Sequence, residues 1–473
     1  VTLAARLDAA PLVGLARGAL QGEDDVWIAG GAVRDALLER EVTDLDLAVG
    51  GDPARVARAV AEAGDGHVFE LSAEFATWRA VARDRSWQLD ATALRGETIE
   101  ADLAGRDFTV GAIAAPLAGG EPLDPHGGIE DLERRLLRVV GEGAFDADPL
   151  RLLRAARIAA ELDLQVAPDT LALARSRAAR AAEPAGERQL AELRRLLGGP
   201  DPLRGLALLD DLGLTGVVLP ELEELRGVEQ GPNHHLDVMG HTLAVLEQAL
   251  AVESDLERFA GERAAETRAL LEQPLADEMT HGTALRFGAL LHDIGKPATK
   301  GEHDGYVTFV GHDSVGAEIV GRICRRLRAG GKLTKHLQAL TRHHLRLGFM
   351  VHEAPLPPRR VHEYLRATEP VAVDVTLLTV ADRLSARGSG PFATEEAIEA
   401  HLDLARSMLA AALDWRREGA PQPLLRGGEL AEELGIAPGP ELGDLLAELE
   451  AAQYAGEVST REEALQRARR LRG

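Results

Sequence analysis

The chain reads as an α+β protein, with a small α/β head at the N-terminus and helices over the rest of its length. Three observations predict this. Short stretches that alternate apolar and polar residues are confined to the first hundred or so positions, ending near Thr92. Beyond them Ala, Leu, Arg and Gly dominate, and only 3% of the chain is aromatic, which favours helix. Finally, 473 residues exceed one compact core and imply about three or four domains.

Residues 1–25 are expected to form an amphipathic helix with Leu3, Leu7, Leu12 and Leu15 inward, ending in a polar turn. Val26, Trp27 and Ile28 then read as a strand running into the Gly30-Gly31 turn. A helix carrying Val33, Arg34 and Asp35 follows, and then a second strand bearing Asp44 and Asp46. Residues i and i+2 of a strand share a face, so the two carboxylates point together while Leu45 and Leu47 anchor the other side. Adjacent carboxylates repel unless a cation sits between them, and hard oxygen ligands at this spacing suit Mg²⁺ sharing its shell with a triphosphate. Without side chains, Gly30 and Gly31 let backbone amides approach phosphate just ahead of a helix N-terminus. Asp44 and Asp46 are therefore the candidate catalytic pair, with Gly30, Gly31 and Arg34 as nucleotide contacts.

Residues 52–63 read as a second helix, and the segments 67–71, 78–83 and 87–92 alternate like strands. Asp90, on the last of these, is either a third metal carboxylate or a strand acid facing solvent. GRDFTVGAIA (105–114) supplies Arg106, a candidate phosphate or ribose contact, and Asp107, which could equally form a structural ion pair. Asp124 with Gly127-Gly128 marks a turn leading into the next helix. In ADPLRLLRAARIAAEL (147–162), Asp148, Arg151, Arg154 and Arg157 recur every third residue along one side, opposite Leu152, Leu153, Ala156 and Ile158. An acid beside an arginine offers an acceptor and a fork of donors, the equipment needed to read a base edge.

The order GGxVRD, DxD and RDFT resembles class II tRNA nucleotidyltransferases and bacterial poly(A) polymerases, and the 147–162 helix resembles their EDxxR element with Ala147 in place of the glutamate. That resemblance implies a polymerase-β-like nucleotidyltransferase head in residues 1–140 and a helical neck in 141–225 that selects bases and binds RNA. It also implies Mg²⁺ as cofactor, CTP and ATP as substrates selected by Asp148 and Arg151, and the tRNA 3′ end as partner. Gly105 stands where an arginine is usual in the second motif, and Gly111 where an asparagine is usual. Only LRGETIEADLAG lies between Ala93 and Arg106. Family members that add only CC are known for a shortened loop here, because the loop helps the site switch from CTP to ATP. CC addition is thus an expected variant of C and A addition.

From His234 onward histidines become frequent. The order His241, His292-Asp293, His312, His343 and Asp382 resembles the HD phosphohydrolase superfamily, placed at residues 226–395. Imidazoles with carboxylates form mixed sites for Mn²⁺, Fe, Ni²⁺, Co²⁺ or Mg²⁺, and a bound metal makes hydroxide available for attack on phosphorus. His343 is preferred over His344 as ligand, and Lys296 is the expected phosphate contact. Residues 252–282 read as an acidic, Ala-rich insertion, and residues 396–473 as a helical tail similar to that of HD-bearing tRNA nucleotidyltransferases. The competing readings are a poly(A) polymerase, or an HD phosphodiesterase or phosphatase with a degenerate head.

The formal charge of −24 is unlike that of a nucleic-acid binder, so RNA contacts are expected where arginines outnumber acids, between Arg134 and Arg195. The single cysteine, Cys324, excludes an intramolecular disulfide and a thiolate zinc cluster. Neither a transmembrane-length apolar run nor a signal-peptide pattern is present, so a cytoplasmic protein with no membrane partner is expected. The oligomeric state stays open.

Overall fold

The structure, a computed structural model, describes residues 3–73 and 76–472. The described chain divides into two compact units, one comprising residues 1–184 with 199–218 and the other residues 185–198 with 219–473.

The first unit is built on a six-stranded sheet. Its strands are β1 (Val26–Ala29), β2 (Asp44–Val49), β3 (Gly66–Ser72), β4 (Thr77–Ala82), β5 (Gln88–Ala93) and β6 (Ala114–Pro116), ordered β3-β4-β5-β2-β1-β6. Only β2 and β5 pair in parallel, and their register sets Asp46 opposite Asp90. Ile28, Leu45, Leu47 and Leu89, each 1% exposed or less, form the sheet's contribution to the core. The alternation of strand side chains leaves Asp44 and Asp46 exposed on the other face.

Helix Pro53–Ala63 starts where expected, with Asp52 accepting from the Ala54 N–H at 2.9 Å and Pro53 in the first turn. The first 25 residues depart from expectation. They form two helices, Leu3–Ala9 and Pro11–Ala19, because Pro11 has no N–H to continue the first and instead opens the second. The Asp124 turn is an anion cradle made of backbone: its carboxylate accepts from Gly128 N at 2.7 Å and Ile129 N at 2.9 Å, starting helix Gly128–Glu133. Helix Arg151–Glu161 buries Leu152, Leu153, Ala155, Ala156 and Ile158, and packs on helix Pro202–Asp211.

In the second unit, helices Val238–Ser254, His281–Leu291, His312–Arg326, Gly331–His343 and Ala372–Ser385 form a bundle whose inner ends carry histidine and aspartate. Helix Gly186–Gly198, from the stretch read as neck, packs against His281–Leu291 within this unit. The 252–282 stretch is integral to the bundle: two short helices and a hairpin bury Leu256, Phe259, Leu270 and Met279. The tail helices Gly427–Leu434, Pro440–Tyr454 and Arg461–Arg472 enclose a small core around Leu430, Leu445, Leu449 and Ala464. Among the described residues no helix is long and apolar enough to cross a membrane.

Candidate active site and metal centre

In the head, the turn after β1 brings glycine backbone up to the carboxylates of β2. Gly30 adopts φ +70°, and a Cβ there would lie 2.6 Å from Arg106 Nη1 and 3.6 Å from Asp46 Oδ2. The following helix, Gly31–Leu37, begins directly beneath Asp46, since a Cβ on Gly31 would also come within 3.6 Å of Asp46 Oδ2. Glycine is therefore required at position 30, whereas Gly31 would admit a Cβ at ordinary contact distance. Arg34, on this helix, forks its Nε and Nη2 onto Asp35 at 2.9 and 3.1 Å while its charge is felt at Asp46.

Asp46 is open to solvent on its strand face, yet crowded by protein on its other sides. Desolvation and then the Asp90 carboxylate raise its pKa, with Arg106 opposing and Asp44 adding to the rise. This concentration of negative charge on adjoining strands, facing solvent beside a backbone cradle, fits a hard divalent cation. Asp90 does stand beside the pair, but it is clamped by Arg79 of β4, whose Nε and Nη2 each lie 2.7 Å from a carboxylate oxygen. Sequence reasoning missed Arg79, because the partner comes from across an antiparallel ladder that places Arg79 opposite Asp90.

The RDFT segment splits its pair between two tasks. Arg106 bonds through Nε to Asp102 at 3.0 Å and through Nη1 to the Gly111 carbonyl at 3.3 Å, which holds its guanidinium against Gly30 with its charge felt at Asp46. Asp107 caps Phe108 N at 2.9 Å and receives Arg154 Nη2 at 2.8 Å. Asp107 is thus the anchor of an ion pair that ties this segment to helix Arg151–Glu161.

Asp148, expected on that helix, lies before it in extended backbone, where Pro149 drives the residue preceding it, and its carboxylate accepts from Leu150 N at 3.1 Å. Arg151 reaches back to the Gly105 carbonyl (2.7 Å), the Arg106 carbonyl (3.3 Å) and the Ala144 carbonyl (3.2 Å), and desolvation lowers its pKa from the usual guanidinium value. The Nε–H of Arg154 is buried without a partner, a donor still to be satisfied. The expected stripe ends there, since Arg157 is only 8% exposed and pairs with Glu161 at 2.8 Å, on the packed side of the helix. Three residues per step lag the 3.6-residue turn by about 60°, so the third step carries the arginine into the interior.

The segment between Ala93 and Arg106 is ordered. It forms helix Ile99–Ala104, capped by Thr98 and anchored by Ile99 and Leu103, while buried Asp102 accepts from Arg95 N at 3.1 Å. Much of the Arg-rich stretch is self-neutralised, as in Arg177 and Arg180 on Asp146 and Arg135 on Asp163.

In the second unit, Asp293 is the hub of a buried cluster. Its Oδ2 lies 3.1 Å from His292 Nε2, 3.6 Å from His241 Nε2 and 2.6 Å from Lys296 Nζ. Its Oδ1 lies 3.2 Å from His312 Nε2 and 3.6 Å from His344 Nε2. Asp382 closes the His241 side at 3.0 Å. Two ligand groups result, His241, His292 and Asp382 on one side and Asp293, His312 and His344 on the other.

The imidazoles are oriented for metal. His292, His312 and His344 each turn Nδ1 onto the carbonyl three residues earlier, at 2.8, 2.7 and 2.7 Å. Those bonds turn each ring so that Nε2 points inward, the atom that would take a metal when the ring is neutral. The Nε2 atoms of His312 and His344 then face each other at 3.3 Å, which a cation reconciles. His241 Nε2, His292 Nε2 and Asp293 Oδ2 are likewise buried and turned toward one another. Desolvation opposes ionisation of Asp293, but His292 and Lys296 outweigh it and hold the carboxyl well below its usual range. Lys296 is buried between Asp293 and Gln230, with Nζ 2.6 Å from Gln230 Oε1, so it lies at the cluster.

The expectation for His343 is corrected. His344 joins the cluster, whereas His343 is half-buried outside it, its pKa lowered to about 4 first by burial and then by Arg346 and Arg342. The signal was present in the sequence. His336, Leu337, Leu340 and Thr341 define the buried stripe of this helix, and the next position on that stripe is 344.

A sheet that aligns two carboxylates beside a glycine cradle, followed by a histidine-aspartate helical bundle, defines a two-part phosphate-chemistry protein. Comparison with known proteins agrees. Residues 26–138 match the poly A polymerase head domain, 163–225 the probable RNA and SrmB-binding site of polymerase A, and 238–387 the HD domain. The chain is 38% identical to the A-adding tRNA nucleotidyltransferase of Deinococcus radiodurans over 92% of its own length and 93% of that protein. It is 35% identical to the CC-adding tRNA nucleotidyltransferase of Thermus thermophilus over 93% of its length and 92% of that protein. The Bacillus stearothermophilus CCA-adding enzyme in complex with CTP shares its fold, with a TM-score of 0.62 at 24% identity and 98% coverage of both chains. The chain therefore belongs to the tRNA nucleotidyltransferase family, in the branch that carries an HD domain.

Proposed function

We propose that the protein is a template-independent, Mg²⁺-dependent nucleotidyltransferase of the cytoplasm that adds C from CTP to the tRNA 3′ end. The observation that carries this is the alignment of Asp44 and Asp46 on one face of β2, with Asp46 beside Gly30 and Gly31 and with Arg106 against Gly30. Asp44 and Asp46 would hold Mg²⁺, which, when bound, lowers the pKa of the terminal RNA hydroxyl and offsets the charge of the departing pyrophosphate. The Gly30 and Gly31 backbone with Arg34 receives the triphosphate, and Arg106 the ribose or adjoining phosphate. Asp148, Arg151 and Arg154 face the base; Arg151 keeps Nε–H outside its three carbonyl contacts, and Arg154 brings its buried Nε–H.

Restriction to one base is supported by the same contacts. Arg151 is bonded to the carbonyls of Gly105 and Arg106, at the end of a short segment whose Ile99 and Leu103 are buried. A base-reading arginine tied to a packed segment has little room to re-form its hydrogen bonds for a second base. A-only addition is the second reading, favoured by the likeness to the Deinococcus protein. Labelled CTP and ATP, offered separately and together with Mg²⁺ to tRNA transcripts lacking CCA, ending in C or ending in CC, separate these. C addition to the two shorter transcripts alone supports the proposal, and A addition only to the transcript ending in CC supports the alternative. No incorporation into any transcript overturns both.

For the second unit we propose a divalent-metal phosphodiesterase or phosphatase site, with His241, His292, Asp293, His312, His344 and Asp382 as ligands and Lys296 as phosphate contact. Metal-dependent hydrolysis of 2′,3′-cyclic or 2′-phosphate ends that persists in Asp44→Ala and disappears in Asp293→Ala is the expected result. Hydrolysis unaffected by Asp293→Ala would refute it.

A further inference from the structure

A second buried group of ligand-type side chains lies in the same bundle, on the helices that also carry the Asp293 cluster. His281 opens helix His281–Leu291, His336 lies within Gly331–His343, and Asp374 lies in the first turn of Ala372–Ser385. His292, His344 and Asp382 lie further along these same three chain segments. The sequence separations correspond to about 16 Å on the first helix and about 12 Å on the others, so the two groups are separate centres.

The three side chains converge away from solvent, at 5%, 5% and 1% exposure for His281, His336 and Asp374. His281 Nδ1 lies 2.8 Å and His336 Nε2 3.7 Å from Asp374 Oδ1, and the two rings meet edge-on with centroids 5.4 Å apart. All three ligand atoms fall within 4.8 Å of one another. His281 and Asp374 alone would make an ordinary buried hydrogen-bonded pair. They do not account for the third member, because His336 Nε2 and Asp374 Oδ2 are both buried with no hydrogen-bond partner. Buried polar atoms are almost always satisfied, and these two orphans in one pocket, one on an imidazole and one on a carboxylate, are of the types a transition-metal ion takes as ligands.

We propose that His281, His336 and Asp374 form a separate structural site for a tetrahedral transition-metal ion, Zn²⁺ by ligand type, with water as the fourth ligand. Two imidazoles and one carboxylate are a known ligand set for this ion. The site cross-links three helices that are otherwise joined by apolar packing, and it fixes their axial positions where they continue into the Asp293 cluster.

The test uses the full chain. In the His292→Ala/Asp293→Ala variant, equilibrated with zinc and passed through gel filtration, one zinc ion per chain should remain by elemental analysis. Adding His336→Gln should remove it, and zinc should raise the melting temperature of the first variant but not of the second. A first variant that retains no zinc overturns the proposal. Anomalous diffraction at the zinc edge from unmodified protein crystallised with zinc decides the matter independently of whether the variants fold. A peak among His281, His336 and Asp374 is expected, and no peak there overturns the assignment.

Discussion

The most informative single perturbation of the head is Gly30→Ala. With φ +70° and ψ −125°, Gly30 occupies backbone space that an L-residue enters only at a cost of about 1–3 kcal/mol. The added methyl also has nowhere to go, since its position is 2.6 Å from Arg106 Nη1. Arg106 cannot yield freely, because Asp102 and the Gly111 carbonyl hold the other parts of its guanidinium. Either the turn opens or the arginine leaves Asp46, and each displaces a nucleotide contact by about an ångström, an error that typically costs about 100-fold in rate. Steady-state CMP incorporation into a tRNA transcript should therefore fall by about two orders of magnitude, with thermal unfolding showing a smaller loss of stability. Gly14→Ala serves as the control, as no atom lies within 4 Å of its added methyl and its helix should gain slightly. A folded Gly30→Ala protein with unchanged kcat and KM would refute the cradle.

Arg154→Ala removes the Asp107 ion pair; because the arginine is 39% exposed the stability loss should be about 1 kcal/mol in denaturant titration, whereas the KM for CTP should rise at least tenfold. Arg157→Ala should behave oppositely, lowering stability through lost packing and the Glu161 pair while leaving the KM for CTP within twofold. His344→Ala should reduce divalent-metal content in the second unit, measured by elemental analysis in an Asp44→Ala background, and His343→Ala should not. That loading should also decline as pH falls, because protons compete with metal for the Nε2 lone pairs.

Much of this architecture was legible because it rests on local rules. The Asp44 and Asp46 alternation, the Asp52 cap and the Asp124 turn each depend on a few neighbouring residues, and each formed where its chemistry indicated. Pro11 was equally legible, and the single-helix expectation for the first 25 residues gave its missing N–H too little weight. His344 required carrying the buried stripe of its helix one step further, and Arg157 required following the drift of a three-residue spacing. Arg79 and Asp102 were different, since their partners Asp90 and Arg95 are selected by strand register and by the fold of a short segment. The His281, His336 and Asp374 group is the extreme case. No motif links residues so widely spaced, and only the packing of three helices brings them together.

The central claim, that a carboxylate pair on β2 drives nucleotide transfer, is tested most directly by labelled CTP incorporation in Asp44→Ala and Asp46→Ala over a Mg²⁺ titration, with circular dichroism as a check on folding. Both side chains are exposed at the surface of the sheet, so both variants should fold like the parent chain. Incorporation should fall to background at every Mg²⁺ concentration in each. Retention of parental activity in either folded variant would contradict the account.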